Sequence, residues 1–250
     1  MILPLEILQN VLMGLRPIAK LAQKFHSTGL NADSEKACKV FDFYSRFVPV
    51  EGKDVLEIGP GHTLEVLEEA INAGAKSGTA VDVIEYLSPL RVEKTLLTYR
   101  IYDGKKLPFG SERFDLIWSH TAFEHLRYPD ITVEECFRVL KRGGKMVCLI
   151  DLGDHSFYGT GVVDPLKQFD CLRYPEWLWN LMRWNRSSYV NRLRQSAWLD
   201  LFDRAGFVLR AKETSLREDV IPLLSTLPYL QGYSYEDAVT STLTVCCEKL

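Results

Sequence analysis

The chain has 250 residues, a formal net charge of −3 at pH 7 and 46% hydrophobic residues. This length suits one α/β domain with additions, or at most two small domains. The near-neutral charge gives no electrostatic case for nucleic-acid binding. The six cysteines form no Cys-x-x-Cys pair, which favours reduced, buried thiols over a disulfide framework or a zinc site.

The first 50 residues are expected to form an N-terminal helical cap, with a break near residues 26–33. Residues 1–25 lack a basic start and a small-residue cleavage site, so we expect no signal peptide and a cytoplasmic protein. Polar residues and two prolines interrupt the apolar run, which argues against a membrane span. The pattern is typical of an amphipathic helix that packs on the domain or covers a site, with peripheral membrane contact as an alternative.

Short apolar runs alternate with helical stretches from Gly52 onward. This alternation predicts parallel strands joined by right-handed crossovers, and the unbroken apolar character of the runs indicates helices on both faces of the sheet. The predicted strands are Asp54–Ile58, Thr79–Val83, Leu97–Ile101, Phe114–Ser119 and Lys145–Ile150. The predicted helices between them are Leu64–Ala73, Ser88–Leu96 and Ile131–Leu140.

Residues 152–195 interrupt this rhythm and are predicted to be an insertion after the fifth strand, on the substrate side. A helix over Gln195–Arg204 and strands over Gly206–Glu213 and Val239–Glu248 then follow, and the two strands could form an antiparallel hairpin at the sheet edge. The sequence therefore predicts a doubly wound, Rossmann-like α/β fold over residues 51–250. Its sheet would have seven strands, mostly parallel, with an antiparallel edge strand.

The first predicted strand ends at Glu57 and Ile58, and the chain then runs through Gly59, Pro60 and Gly61. Ligands of open parallel sheets bind beyond the carboxyl ends of the strands, where glycines admit a ligand close to the backbone. Asp82 comes about 20 residues later at the end of the second strand, where an acid can bind ribose hydroxyls. A dinucleotide fingerprint would need a third glycine at Leu64, so the NAD-binding pattern fails there.

Three further segments contribute to a recognisable combination of motifs: LPF at 107–109, FDLIWS at 114–119 and RVLKRGGKMV at 138–147. Together with LEIGPG at 56–61, they resemble the class I S-adenosylmethionine-dependent methyltransferases of the small-molecule "methyltransferase domain 11" type. The resemblance covers residues 50–150. It implies S-adenosylmethionine as the cofactor, with S-adenosylhomocysteine as the product.

The resemblance also implies which side chains hold this cofactor. Glu57 would face the methionine ammonium, Gly59 and Gly61 would give the cofactor room, and Asp82 would bind the ribose. The remaining positions are Asp103 with Gly104 near the adenine, and Ser119 with His120 on the methyl-donor face. Purely structural roles for these acidic residues stay open as alternatives, because acids at strand ends can also be surface charges, helix caps or turn formers.

Methylation of a hydroxyl benefits from a base within hydrogen-bond reach of the acceptor. Asp151, Asp154 and His155 follow the fifth strand, so His155 is the first candidate base, with Asp154 or Asp151 orienting it or contacting the substrate. His125, after the fourth strand, is the second candidate. Two carboxylates and an imidazole could also hold a divalent ion, but no separate ligand cluster supports this, and we expect no metal.

The inserted segment combines aromatic and arginine side chains, which can stack on rings and bind phosphate or carboxylate. We take Trp184, Arg192 and Arg194 as substrate-binding candidates, together with Asp151. Packing of the tryptophans in the core is the alternative. The loop at 151–155 followed by Asn191–Arg194 also resembles, more weakly, methyltransferases of bacterial polysaccharide and glycoconjugate assembly. That resemblance implies a sugar or nucleotide-sugar acceptor.

The leading hypothesis is methyl transfer from S-adenosylmethionine to a small polar acceptor, most simply a hydroxyl of a sugar or glycan precursor. N- or C-methylation of a secondary-metabolite ring is an alternative. An NAD-dependent reductase is disfavoured, because this sequence has neither the third glycine of the turn nor a Tyr-x-x-x-Lys pair after a central strand. A noncatalytic methyltransferase-like module stays possible, because cofactor-binding residues say nothing about turnover. We expect a small-molecule substrate, no nucleic-acid partner and no stable membrane insertion.

Overall fold

The computed structural model describes residues 3–23, 34–87, 96–155, 165–230 and 232–250. Its centre is one seven-stranded sheet with the order β3-β2-β1-β4-β5-β7-β6. The strand order reverses between β1 and β4, which creates the crevice where such sheets bind ligands. The strands are β1 Asp54–Ile58, β2 Ser77–Asp82, β3 Leu97–Ile101, β4 Phe114–His120, β5 Leu140–Asp151, β6 Phe207–Leu216 and β7 Thr240–Lys249.

The first five strands pair in parallel, and β7 is antiparallel to both of its neighbours, β5 and β6. The predicted Rossmann-like, mostly parallel sheet is therefore confirmed. One detail differs, because the antiparallel strand β7 lies inside the sheet and β6 forms the edge. The burial pattern explains this order: most residues of β7 are buried, whereas most of β6 is partly or fully exposed.

Helices cover both faces of the sheet, as the apolar strands predicted. Neighbouring residues of β1 point to opposite faces, so Val55 joins the core under α3 and α4, whereas Leu56 joins the core under α5 and α8. The helices are α1 Leu3–Met13, α2 Arg16–Gln23, α3 Ser34–Ser45, α4 Glu65–Asn72, α5 Pro129–Val139, α6 Pro165–Gln168, α7 Glu176–Arg183, α8 Gln195–Arg204 and α9 Tyr235–Val239.

The largest difference in element bounds concerns the fifth strand. It begins at Leu140 rather than at Lys145, because the Gly-Gly segment is part of the strand and not a turn before it. Gly143 has a φ of +73°, which a glycine adopts without a steric penalty, and the strand register shifts in the same region. The predicted helix Ser88–Leu96 lies almost entirely outside the described residues.

The cap segment, residues 165–194, packs around its own apolar core rather than on the sheet. Trp179 and Met182 of α7 are buried there with Val220 and Leu227 from the connection before β7. Helix α1 docks on α7 through Asn10, which is 5% exposed. Its Nδ2 donates to the Leu181 carbonyl at 2.9 Å, and its Oδ1 accepts from the Asn185 N–H at 2.8 Å.

The same helix leaves an apolar side toward solvent, including Leu5 at 63% exposure and Leu8 at 56%. Within the described residues, no helix combines the length and the apolar character that crossing a membrane requires.

Candidate active site

A cavity of about 370 Å³ lies at the carboxyl ends of β1 to β4. Its floor comes from the turns that follow these strands, and its roof comes from the N-terminal helices and the cap segment. The lining residues are Met13, Ala19, Ile58, Gly59, Gly61, Val81, Asp82, Val83, Ile84, Tyr86, Tyr102, Asp103, Gly104, Thr121, Ala122, His125, Leu126, Arg127, Tyr128, Asn185, Arg186 and Ser187. This is the crevice that the strand alternation predicted.

The two glycines after β1 lie in the lining but differ in what surrounds them. Both adopt positive φ, +75° at Gly59 and +69° at Gly61. A Cβ atom on Gly59 would lie 2.4 Å from the Cβ of Ala122, whereas one on Gly61 would have no atom within 4 Å. Gly61 therefore leaves space in the cavity. Gly59 also lines the cavity, and its missing side chain admits the loop after β4 as well.

Glu57 carries a buried and incompletely bonded carboxylate. The side chain is 4% exposed, and its Oε2 atom has no hydrogen-bond partner. Burial raises the pKa of this carboxyl to about 8, because a charge is costly away from water. Glu57 pairs in register with Trp118 of β4, on whose ring Tyr44 stacks at 4.5 Å. Glu57 itself is not among the lining residues, although its neighbours Ile58 and Gly59 are, and a cationic ligand group beside it would supply the missing partner.

Asp82 ends β2 and lines the cavity, as predicted. Its Oδ1 accepts from the Ile84 N–H at 3.0 Å. Burial raises the pKa of Asp82 to about 6, and hydrogen bonds from backbone N–H groups, including that of Gly61, oppose the shift. The bonds hold the carboxylate in place at the rim of the glycine turn.

Asp103 and Gly104 also line the cavity, but the Asp103 side chain is already engaged. Its Oδ1 accepts from the N–H groups of Lys105 and Lys106 at 2.9 and 2.8 Å. These two bonds lower the pKa of Asp103. The carboxylate shapes its own turn, in which Gly104 adopts a φ of +77°.

Ser119 and His120 follow the predicted strand but do not line the cavity. Ser119 is fully buried, and its hydroxyl donates to the Ile58 carbonyl at 3.0 Å, which ties β4 to β1. The His120 ring meets Phe43 edge-on with centroids 5.8 Å apart, and burial lowers its pKa. Thr121 and Ala122, the next two residues, take the predicted place in the lining.

His125 is the candidate base that the structure places in the lining. Its Nδ1 lies 2.7 Å from the Tyr189 carbonyl oxygen. A carbonyl only accepts, so Nδ1 carries the hydrogen and Nε2 keeps its lone pair. Burial lowers the pKa of His125 to about 3, with contributions from the charges of His155 and Arg127, and the imidazole is neutral at pH 7.

His155 stands behind His125 and is absent from the cavity lining. The two rings meet at right angles with centroids 4.5 Å apart. The His155 Nε2 lies 3.5 Å from Glu124 Oε1 and 3.7 Å from Asp151 Oδ2. Burial alone would lower the pKa of His155, but the hydrogen bond and charge of Glu124 and the charges of Asp151 and Asp154 raise it above its ordinary value.

Glu124, His125 and His155 offer ligand atoms within 4.8 Å of one another and could hold a metal ion. This set differs from the Asp151, Asp154 and His155 set that the sequence suggested, since Glu124 follows β4. The charge attraction between Glu124 and His155, whose nearest atoms are 3.5 Å apart, also links two of these three residues. The Asp151 and Asp154 side chains are buried and lie outside the lining, Asp151 accepting at Oδ1 from the Gly153 N–H at 2.8 Å.

The three cap residues predicted to bind substrate do not reach the cavity. Arg194 is fully buried and donates to the carbonyls of Leu152, Asp237 and Thr240. Arg192 donates to the Tyr174 carbonyl at 2.6 Å and lies 4.2 Å over the Tyr229 ring. Trp184 packs edge-on against Tyr128 and Tyr189. In place of a substrate site, these side chains stabilise the cap.

The sequence indicated that the N-terminal helix could cover a site and that the insertion lies on the substrate side, but it did not single out the individual lining residues there or nearby, among them Met13, Ala19, Arg127 and the segment 185–187. An arginine between His125 and the start of α5 gave no signal of its own. The N-terminal and cap residues reach the cavity only through tertiary packing, which no local pattern encodes.

Residues 56–148 match a protein-family model described as a methyltransferase domain. The match runs from β1 into β5 and includes the glycine turn, Asp82 and the acid-bearing loops of the cavity. Over these residues the chain is a methyltransferase domain, and S-adenosylmethionine is the cofactor that its sequence implies. Glu57 has an unbonded buried oxygen and Gly61 leaves open space, so the residues present fit this cofactor.

Relatives of this methyltransferase agree with the domain match. The ubiquinone biosynthesis O-methyltransferase of Coxiella burnetii is 26% identical over 196 residues, which are 76% of this chain and 80% of that protein. A solved S-adenosylmethionine-dependent methyltransferase from Mesorhizobium loti shares the fold with a TM-score of 0.58 at 18% identity, over 88% of this chain and 100% of that one. Phosphoethanolamine N-methyltransferase 2 of Haemonchus contortus, solved with phosphomonomethylethanolamine and S-adenosylhomocysteine, has a TM-score of 0.56 at 17% identity, over 90% of this chain and 54% of that one.

Proposed function

We propose that this enzyme transfers the methyl group of S-adenosylmethionine to a hydroxyl oxygen of a small polar acceptor. The observation that carries the proposal is the neutral imidazole of His125 in the cavity lining. Because the Tyr189 carbonyl fixes the proton on Nδ1, Nε2 is left to accept the hydrogen of a hydroxyl group.

Four sets of residues would hold the cofactor in this proposal. Glu57 accepts from the ammonium group, Asp82 accepts from the ribose hydroxyls, and Gly104 offers its backbone to the adenine next to Asp103. Gly61 leaves room for the chain between them. When bound, the cofactor supplies a methyl group on a positively charged sulfur, which is an activated electrophile. The protein's main task is then to position the acceptor in line with it.

His125 would orient the acceptor by accepting its hydroxyl hydrogen, and would take the proton as the oxygen–carbon bond forms. A base with a pKa of about 3 is weak, so positioning outweighs proton abstraction in this site. The carboxylates of Glu124 and Asp151, which flank His155, would stabilise the positive charge that develops on the pair of imidazoles. His155 acts through His125 and is a positioning residue in this scheme.

The sequence prediction of a sugar or glycan-precursor hydroxyl remains a proposal. The name of the Coxiella relative favours oxygen as the acceptor atom and supports a ring hydroxyl as a second candidate. Tyr86, Tyr102 and Tyr128 in the lining suit either ring type, since aromatic faces stack on planar rings and on sugars. We also propose that residues 1–50 and 152–195 act as the substrate-side roof, which the positions of Met13, Ala19 and Asn185 support.

The test is mass detection of a methyl increment on matched sugars, phenols and amines, alongside calorimetry with S-adenosylhomocysteine. The variant His125→Asn retains an amide donor for the Tyr189 carbonyl but loses the Nε2 acceptor. We expect it to bind S-adenosylhomocysteine normally and to lose turnover by roughly 10²-fold or more. Unchanged turnover on the hydroxyl acceptor would remove His125 from this role. Cofactor binding without methylation of any panel member would favour the noncatalytic module.

A further inference from the structure

The ionisable side chains that line the cavity are divided by charge. Asp82 and Asp103 follow β2 and β3, whereas Arg127 and Arg186 come from the segment after β4 and from the cap segment. These two aspartates are the carboxylates among the described lining residues. One side of the cavity is therefore acidic and suited to the cofactor, and the side next to His125 is basic.

Arg127 is a cation whose hydrogen bonds all go to neutral groups. It donates from Nε to the Trp184 carbonyl at 2.8 Å, from Nη1 to the His125 carbonyl at 2.6 Å and from Nη2 to the Arg186 carbonyl at 2.8 Å. Across the described ranges, no carboxylate forms an ion pair with it. A guanidinium has five N–H groups, so two are left to donate.

The guanidinium is also largely removed from water, and its partners in the described part of the chain are carbonyl groups and aromatic rings rather than an anion. Burial lowers the pKa of Arg127 to about 10, and the group nevertheless stays charged at pH 7. The Tyr189 ring lies 4.0 Å from its central carbon, which is a weaker partner than an anion. An unpaired, half-buried cation that lines a cavity is a ready binding partner for an anionic ligand.

Arg186 adds a second cation, whose counterion is shared. It bonds the carboxylate of Glu6 in α1, and Arg183 approaches the same oxygen at 3.2 Å. The Glu6 carboxylate thus contacts two guanidinium groups, and the charge of Asp154 also acts on Arg186. Because Arg127 binds the carbonyl of Arg186, the two cations are held on one side of the cavity.

We propose that Arg127 and Arg186 form an anion-binding subsite for a methyl acceptor that carries a phosphate or carboxylate group. The subsite adjoins the candidate base, since Arg127 donates to the carbonyl of His125 itself. It would hold the charged end of the acceptor while the hydroxyl faces Nε2. The inference rests on the proposed function, and it assigns the acceptor to the class of anionic hydroxyl compounds.

Inorganic phosphate is the first probe, titrated into the enzyme saturated with S-adenosylhomocysteine. We expect the wild type to bind it, and both Arg127→Gln and Arg186→Gln to weaken binding by roughly 10-fold or more. Arg186→Gln keeps the backbone carbonyl that Arg127 binds, and it removes the charge together with the ion pair to Glu6 of α1. Arg204→Gln is the matched control, because Arg204 pairs with Asp200 at 65% side-chain exposure, away from the lining. Phosphate affinity that is absent, or equal in all four proteins, would overturn the proposal.

The cofactor also has a carboxylate, so a second arm separates the two sources of negative charge. S-adenosylhomocysteine and its decarboxylated analogue are titrated into wild type and into both variants. We expect the variants to leave the ratio of the two affinities unchanged. If they weaken S-adenosylhomocysteine alone, the subsite belongs to the cofactor and the acceptor assignment is wrong. If S-adenosylhomocysteine fails to bind the wild type, the proposed function fails, whatever phosphate does.

Acceptor pairs that differ only in the anionic group give a third readout. Glucose is compared with glucose 1-phosphate, and catechol with 3,4-dihydroxybenzoate, by mass detection of methylation. The anionic member of a pair should be preferred by the wild type, and the preference should fall by roughly 10-fold in Arg186→Gln. A wild type that prefers the neutral member of each pair would count against an anionic acceptor.

Discussion

The buried carboxyl of Glu57 makes cofactor binding depend on pH. With a pKa of about 8, the free enzyme holds this group largely protonated at pH 7. A ligand ammonium stabilises the charged form, so binding should release a proton below about pH 8 and none well above it. Calorimetry of S-adenosylhomocysteine binding in buffers of different ionisation enthalpy measures that release directly.

Glu57→Gln is the matched control, because it keeps the size of the side chain and cannot ionise. We expect it to abolish the proton release and to weaken binding by roughly 10-fold or more. A variant that releases the same number of protons would place the titrating group elsewhere, with Asp82 the next candidate since burial raises its pKa to about 6.

The two glycines of the turn after β1 give a matched pair of substitutions. Gly59→Ala and Gly61→Ala both place a side chain at positive φ, but only the first meets Ala122 at 2.4 Å. We expect Gly59→Ala to lower the free energy of unfolding by about 1–3 kcal/mol more than Gly61→Ala, through overpacking. Urea unfolding measures the difference. Adding Ala122→Gly should recover most of it, and a double variant no more stable than Gly59→Ala would contradict the contact.

At the residue scale, the sequence was most informative where backbone geometry fixes the outcome. Asp82 ends β2 and Glu57 is the penultimate residue of β1, so the sequence predicts both near the crevice, and Asp82 lines the cavity. Ser119 also ends a strand, but its side chain points into the protein and bonds the Ile58 carbonyl. The side to which the last residues of a strand point depends on a register that one sequence does not specify. Arg194 was mispredicted because a fully buried arginine bonded to carbonyls has the same sequence signal as a ligand-binding one.

At the scale of elements, the docking of α1 on the cap is the contact that completes the cavity roof. Asn10→Leu keeps the helix but removes the side-chain bonds to Leu181 and Asn185. The Leu181 carbonyl and the Asn185 N–H lose these partners, and each lost bond costs about 0.5–1.5 kcal/mol. We expect faster amide hydrogen exchange in α1 and weaker acceptor binding, with the sheet unaffected.

Leu8→Ala serves as the control, since Leu8 lies in the same helix at 56% exposure. It should leave both amide exchange in α1 and acceptor binding close to wild type. Equal exchange in the two variants would mean that Asn10 does not hold the helix in place.

Elements with a strong pattern were predicted within a few residues, and those with a mixed pattern were not. The bounds of β1 and β3 match: Gly59 follows β1 directly, and the Asp103-Gly104 turn comes soon after β3. The predicted start of the fifth strand was too late in the chain. Two glycines normally indicate a turn, whereas here they lie within the strand. The placement of β7 between β5 and β6 could not be predicted, because strand order is a tertiary property.

At the scale of the whole molecule, the end of the sheet opposite the cavity, where β1 begins, carries a charge cluster that should determine the stability of the protein at acid pH. Asp54 is buried, and Lys76, Arg113 and Lys141 each approach its Oδ2 within 3.2 to 3.3 Å. Burial alone would raise the pKa of Asp54, but hydrogen bonds from Ser77, Lys76 and Arg113 hold it well below its usual range. A lowered carboxyl pKa adds stability above the unfolded value and loses it as pH falls.

Asp54→Asn should therefore destabilise the protein at pH 7, and the difference from wild type should shrink as the pH falls below about 4. Urea unfolding at several pH values provides the measurement, and Asp200→Asn, at the exposed ion pair with Arg204, is the control. A difference that stays constant with pH would show that the loss comes from packing rather than from charge.

The roof of the cavity joins segments that are far apart in the chain: Asn10 and Glu6 bind residues 171 to 180 positions later. During synthesis on the ribosome, α1 emerges long before α7, so Asn10 and Glu6 have to remain without these partners until the cap segment has been made. Closing so long a loop is slow and entropically costly, so the roof should be among the last parts to assemble and the first to open. Acceptor access would then be controlled by a late-forming contact, while the sheet beneath it stays folded.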